Sequence, residues 1–286
     1  MKIENISAGA SARRNDDHIA VFSSDGLTDI VVIDGGTSVA ERDYIDPIQG
    51  DVAWFVHAFT AALEQTLAPG RSQQDCVAVA IAQVKTLFIQ GTSGRNVPLY
   101  AWPIAAMTWV RIAQRGGATQ AMLYSLGDCK TLLRTVSGDC VDLDPFVNPQ
   151  EAVLQDVIAT LTAEGIDDQV YRRDRMLPML RARREDQNTA PAPSVLCLDP
   201  NGPFQARIRH VDLRPADSLL LMTDGFYRLV DTYGLYTDAM LMEACLDRGL
   251  SAQLDELRNF ESASNASGAR SVKAADDASA ALWTMD

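Results

Sequence analysis

The chain has 286 residues, 47% hydrophobic and 22% charged, with 38 Asp and Glu against 25 Lys and Arg and a formal net charge of −13. That is an ordinary globular composition with enough length for one large domain, and its acidity argues against nucleic-acid binding by phosphate neutralisation. The five cysteines, at 76, 129, 140, 197 and 245, are odd in number and lack C-x-x-C spacing, which argues against a disulfide framework or a zinc ribbon and fits a reducing compartment.

Residues Met1 to Asn15 have no apolar core of the signal-peptide kind. No stretch approaches the roughly 18–20 apolar residues that span a bilayer, so a cytoplasmic protein without a membrane partner is expected. Ile19 to Phe22 and Leu27 to Ile33 read as strands joined at Ser24-Asp25-Gly26, a hairpin signal with Asp25 as a turn residue. Asp51 to Leu67 reads as a helix capped by Asp51 and stopped by Pro69-Gly70. Ser72 to Ile89 is a second helix, with Ser72 at its N-cap and Val77, Ile81, Val84 and Phe88 on one face.

Strands are expected at Ala105 to Ile112, Ala118 to Leu126 and Lys130 to Val136. Gln150 to Glu164 is helical, as is the basic stretch from Tyr171 to Arg184, which Pro178 should kink or break. Strands return at Val195 to Leu198, Ala206 to Val211 and Ser218 to Met222. Short helices follow at Asp238 to Asp247 and Ser251 to Phe260, then a polar segment from Glu261 to Gly268 and a last strand from Ala278 to Trp283. This order is not βαβ alternation. It fits an α+β protein in which antiparallel sheets carry helices on their outer faces, with no linker dividing residues 1–286.

Four aspartate stations stand at the ends of apolar runs. Asp34 follows Ile30 to Ile33, Asp128 follows Met122 to Gly127, Asp224 follows Leu219 to Thr223, and the pair Asp276-Asp277 precedes Ala278 to Trp283. A hydrophobic strand ending on Asp or Asp-Gly puts a carboxylate on the rim of a sheet. Rims brought together make a cluster of oxygen ligands whose repulsion is relieved by a hard divalent cation such as Mg²⁺ or Mn²⁺. A metal-dependent hydrolase is the expectation from that pattern. His18, His57 and His210 show no metal-binding spacing, and His18 is expected on the surface or in a turn.

Taken in order, the stations resemble the metal-dependent protein phosphatase 2C family. Asn15-Asp16-Asp17 is similar to its N-terminal Asn-Glu-Asp motif, Val32-Ile33-Asp34-Gly35-Gly36 to its Asp-Gly motif, and Gly127-Asp128-Cys129-Lys130 to Gly-Asp-Ser-Arg. Thr223-Asp224-Gly225 and Asp276-Asp277-Ala278-Ser279 resemble Ser-Asp-Gly and the closing Asp-Asn-x-Thr. The resemblance implies a four-layer αββα sandwich of two antiparallel sheets in a single phosphatase domain. It implies two Mn²⁺ or Mg²⁺ ions, bridged by Asp34, with the Gly35 carbonyl on one and Asp224 and Asp276 on the other. Asp16 and Asp17 would bind or orient water, and Asp128 would serve a third site. The implied activity is hydrolysis of phosphoserine or phosphothreonine in a protein by activated water, opposite a Ser/Thr kinase.

The chain departs from the family at defined places. Gly36 stands where a His often acts as general acid, and Ala12 where a phosphate-binding Arg often lies, with Arg13 or Arg14 as nearby substitutes. Asp277 replaces the usual Asn, and Ala105-Ala106-Met107 replaces Gly-Ser-Thr. Two alternatives stay open on the same residues: a catalytically weak pseudophosphatase that binds or regulates, and a phosphatase of a small phosphorylated metabolite. The arginines between Tyr171 and Arg184 read as a solvated basic face or as a group that reaches phosphate or an acidic partner.

Overall fold

Alternation along β3 (Leu27–Gly35) explains the layering of the protein. Val31 and Ile33 project to one side of the strand, Ile30 and Val32 to the other, and all four are fully buried. A strand buried on both faces must lie between two apolar layers. This computed structural model describes residues 1–24, 26–68, 70–166, 168–266 and 275–285. The expected turn residue Asp25, the helix stop at Pro69 and the 267–268 end of the polar segment lie outside the described residues.

One sheet runs β1 (Lys2–Ala8), β11 (Ala278–Thr284), β10 (Ser218–Met222), β6 (Lys130–Arg134) and β7 (Cys140–Asp142). The other runs β2 (His18–Ser24), β3, β4 (Ile104–Arg115), β5 (Ala118–Leu126) and β9 (Arg207–Leu213), with β8 (Leu196–Cys197) paired to β4. The pairings are antiparallel. The helices are α1 (Asp51–Thr66), α2 (Gln73–Gly91), α3 (Pro149–Ala163), α4 (Gln169–Thr189), α5 (Asp224–Tyr227) and α6 (Asp238–Ala266).

Between the sheets, Ile30, Val32, Val110 and Leu123 meet Leu219, Leu221, Ala281 and Trp283. On the outer face of the β2–β9 sheet, Phe55 and Phe59 of α1 and Val77 and Val84 of α2 cover Val31, Ile33, Met107 and Trp109. On the outer face of the other sheet, Leu241, Met242, Cys245 and Leu257 of α6 cover Leu132, Leu220, Met222 and Ala280. The result is the expected αββα sandwich of two antiparallel sheets. Among the described residues, no helix is long and apolar enough to cross a membrane.

Several local expectations are corrected. β1 has no apolar run and no fully buried side chain to mark it in the sequence; it exists by pairing along β11 from Lys2↔Thr284 to Ala8↔Ala278. Gly50, at φ 98°, is the N-cap of α1. Asp51 instead folds the preceding loop, accepting from the backbone N–H of Tyr44 at 2.6 Å and Ile45 at 2.7 Å. Ser72 caps α2 as expected, accepting from Asp75 N–H at 3.1 Å. α4 runs through Pro178 unbroken, whereas α6 breaks at Gly249, φ 80° and ψ 165°, between the two short helices expected there. His18 is no turn residue: it opens β2 with its ring 4.2 Å from that of His57, and burial together with His57 lowers its pKa to about 4.

One buried polar knot makes a stability prediction. The Asp29 carboxylate, 4% exposed, accepts from Trp109 Nε1 and Arg111 Nε, both at 2.7 Å. Asp29→Ala leaves a buried guanidinium and an indole N–H without their acceptor, at an expected loss of about 3–5 kcal/mol in urea unfolding. A loss under about 1 kcal/mol would show that water or the Arg71 carbonyl takes over the pairing.

Candidate active site

The carboxylates gather where strands of both sheets end on the same side. Asp34 is the penultimate residue of β3, Asp128 sits in the turn between β5 and β6, and Asp224 opens α5 directly after β10. These three and Gly35 line a cavity of about 590 Å³. Asp17 immediately precedes β2 and is 3% exposed.

Glycines allow the close approach. A Cβ on Gly35 would lie 2.4 Å from the Asp16 carbonyl oxygen, and one on Gly225 would lie 1.8 Å from the Asp277 carbonyl oxygen. The Asp-Gly dipeptides therefore carry ligand-type side chains on residues whose neighbours must be bare, so that Asp16-Asp17 can reach Asp34 and Asp276-Asp277 can reach Asp224. Hydrogen bonds lock this arrangement. Thr223 Oγ1 donates to Asp17 Oδ2 at 2.8 Å and accepts from Ser279 N–H at 3.0 Å. The Asp277 carboxylate accepts from the backbone N–H of Ala10 and of Asp16, both at 2.6 Å. Asp276 Oδ1 accepts from Asp277 N–H at 3.2 Å, and its carbonyl accepts from Arg258 Nη1 at 2.8 Å.

The electrostatics are those of crowded acids. Burial, then Asp224, Asp17 and Asp128, push the Asp34 carboxyl well above the usual carboxylate range. Burial also raises Asp17, with Asp277 and Asp224 adding to it against the Thr223 hydrogen bond. Carboxylate oxygens are the donors a hard divalent cation prefers, and they accept it without thiolate or imidazole. Among the described residues, no group of three or more His, Cys, Asp or Glu side chains is close enough to hold a metal ion as it stands. The donor set fits such an ion by its chemistry and its charge; the closure of the ligands on one point is not formed.

A thiol nucleophile has no support. Burial raises Cys129 well above the usual thiol value, and the surrounding carboxylates raise it further; Cys140 is pushed up to about 11, and Cys197 and Cys245 to about 12.

α3 and α4 form the wall opposite the carboxylates. Leu154, Ile158, Met176 and Leu180 give it apolar surface, and Arg172, Arg173, Arg183 and Arg184 give it charge. The helix is tied down over the segment after Gly35: Arg173 donates to Ser38 O at 3.0 Å, Arg181 to Val39 O at 3.0 Å and Arg184 to Thr37 O at 3.1 Å. At the rim, Asn148 Nδ2 donates to Asp128 Oδ2 at 2.8 Å.

Of the residues singled out in the sequence, Asp34, Gly35, Asp128 and Asp224 line the cavity, and Asp17 is buried beside them. Asp16 and Asp276 join the loops that carry their neighbours. Arg13 is exposed and does not line the cavity, and Arg14 is paired with Asp43 at 2.7 Å. The Arg14 guanidinium lies against Asp43 and Gly50, while the backbone of the same loop reaches Asp277 through Ala10 N–H. Asn148, Asp277's bonds to Ala10 and Asp16, and the individual α4 arginines were not legible. The Arg-rich run was a signal; which of its members line the cavity was not.

No family model matches the sequence, and no curated protein matches it either. Solved structures do match across the whole chain. The serine/threonine phosphatase of S. agalactiae superposes with a TM-score of 0.57 at 13% identity, covering 100% of this chain and 99% of that one. The Mycobacterium tuberculosis serine/threonine phosphatase PstP/Ppp gives 0.51 at 15% identity, covering 100% and 98%. RsbX in complex with magnesium gives 0.52 at 11% identity, covering 99% and 94%. Two antiparallel sheets, their flanking helices and the full-length overlap agree: the chain has the fold of bacterial serine/threonine phosphatases of the protein phosphatase 2C type.

Proposed function

We propose that the chain is a metal-dependent serine/threonine protein phosphatase, a single domain over residues 1–286 acting in the cytoplasm opposite a Ser/Thr kinase. The observation that carries this reading is the crowding of acids at one cavity: Asp34, Asp128 and Asp224 line it with Gly35, Asp17 is buried beside them, and all three neighbours push the Asp34 carboxyl upward. Asp34, the Gly35 carbonyl, Asp224 and Asp276 would hold two Mn²⁺ or Mg²⁺ ions, and Asp128 a third. Asp276 rather than Asp277 takes this role because both Asp277 oxygens are committed to backbone N–H groups. Bound there, the ions would lower the pKa of water and neutralise phosphoryl charge. Asp17, fixed by Thr223, and Asp16 would orient that water for in-line attack.

Exhaustive EDTA treatment of the purified protein should abolish hydrolysis of p-nitrophenyl phosphate, and Mn²⁺ or Mg²⁺ should restore it. Full activity after EDTA would rule the reading out. A second reading, a phosphatase of a small phosphorylated metabolite, is supported by the wall that α3 and α4 place over the carboxylates. Turnover of a panel of phosphopeptides against phosphorylated metabolites separates the two.

A further inference from the structure

We infer that Arg184 is the phosphoryl-oxygen clamp of this site, delivered by α4 instead of by the segment that precedes Asn15. The inference rests on the phosphatase reading for the identity of the anion, and on the geometry of Arg184 for everything else.

Arg184 is 8% exposed and lines the same cavity as Asp34, Asp128 and Asp224. Its Nη2 donates to Thr37 O at 3.1 Å and to Gly36 O at 3.5 Å. Its Nε is buried and has no acceptor. Among the described residues, no carboxylate pairs with it. A buried guanidinium held only by carbonyl dipoles is an expensive arrangement for a fold to keep without a counter-charge. Its planar array of donors complements the oxygens of a phosphoryl group, and phosphate recognition is the use such an arrangement serves best.

The position of the guanidinium also accounts for Gly36. A Cβ at residue 36 would lie 3.3 Å from Arg184 Nη2 and 2.9 Å from Ile104 Cγ1. The space beside Asp34-Gly35 that the resembled family gives to a His side chain is thus closed here by Ile104 and by an arginine from another element. The two departures read in the sequence, Gly36 for His and Ala12 for Arg, become one rearrangement: the cation enters from α4, over a residue that must lack a side chain. Arg173 and Arg183 line the same wall and add positive potential to it.

The test uses the full chain with Mn²⁺, inorganic phosphate as ligand and p-nitrophenyl phosphate as substrate. Arg184→Ala should weaken phosphate binding, measured by calorimetry, and raise KM by about 10-fold or more, with Arg184→Lys recovering part of the loss. Arg181→Ala removes another tie of the same helix, to Val39 O and Glu41, outside the cavity lining. It and Arg13→Ala should stay within about 2-fold of wild type. Wild-type phosphate affinity in folded Arg184→Ala or Arg184→Lys would overturn the inference. So would Arg181→Ala reproducing the loss, since Arg184 would then act only by holding the helix. If no phosphomonoester is turned over but phosphate binds and Arg184→Ala weakens it, the phosphatase reading fails and the clamp stands.

Discussion

Asp34→Asn is expected to lower phosphatase activity by about 10²-fold or more while making the metal-free protein more stable at neutral pH. The two effects have one cause. Burial and the facing Asp224, Asp17 and Asp128 raise the Asp34 carboxyl in the folded chain. Between its unfolded and folded pKa values the native state binds more protons than the unfolded state, so this group's contribution to stability falls as pH rises. The penalty is absent below the unfolded value and complete above the folded one. Asparagine carries no charge and escapes it, but it gives up the anionic oxygen that a cation needs.

The melting temperature of Asp34→Asn in EDTA should therefore exceed that of wild type at pH 8, with the gap closing toward pH 4. Added Mn²⁺ should reverse the order by stabilising wild type preferentially, since ligand bound only to the native state raises its stability. A variant no more stable than wild type at pH 8 would mean that the carboxylates do not face one another in the folded protein.

The second large effect concerns the leaving group. p-Nitrophenyl phosphate should be hydrolysed with a kcat/KM about 10²–10⁴-fold above that of a phosphoserine peptide, the span that general acid assistance usually supplies. A nitrophenolate departs without a proton, whereas a serine alkoxide needs one. Residue 36 provides no donor, and Ile104 and Arg184 close in on the space where one would stand. His18 is half-buried against His57 and its pKa is lowered to about 4, so at neutral pH it is the uncharged imidazole, a poor acid for a leaving alkoxide. Arginine stabilises charge but stays protonated, so Arg184 can hold the phosphoryl group without serving as the acid. Comparable kcat/KM values for both substrates, with chemistry rate-limiting, would require a proton donor elsewhere in the cavity.

What the amino-acid order determined by itself is local and periodic. Apolar runs closed by Asp-Gly marked β3 and β10 and placed Asp34 and Asp224 at sheet rims, because a strand's hydrophobic pattern and its terminating residue lie within a few positions of each other. The same reasoning found Ser72 as a cap and the division of α6 near Gly249. Tertiary structure decided what depends on distant partners. β1 has no apolar signature and is a strand only through β11, some 270 residues away in the chain. Asp51 looked like a cap and serves a loop, because Gly50 in the left-handed region takes the cap position and turns the carboxylate back toward Tyr44 and Ile45. His18 and His57, far apart in the sequence, bring their rings within 4.2 Å because β2 lies beside α1. The choice among the arginines of α4 was decided in the same way: one helical stretch offers its side chains in every direction, and only the docking of α4 on residues 36–39 turns Arg184 inward over Gly36 while Arg173 and Arg181 tie to Ser38 and Val39.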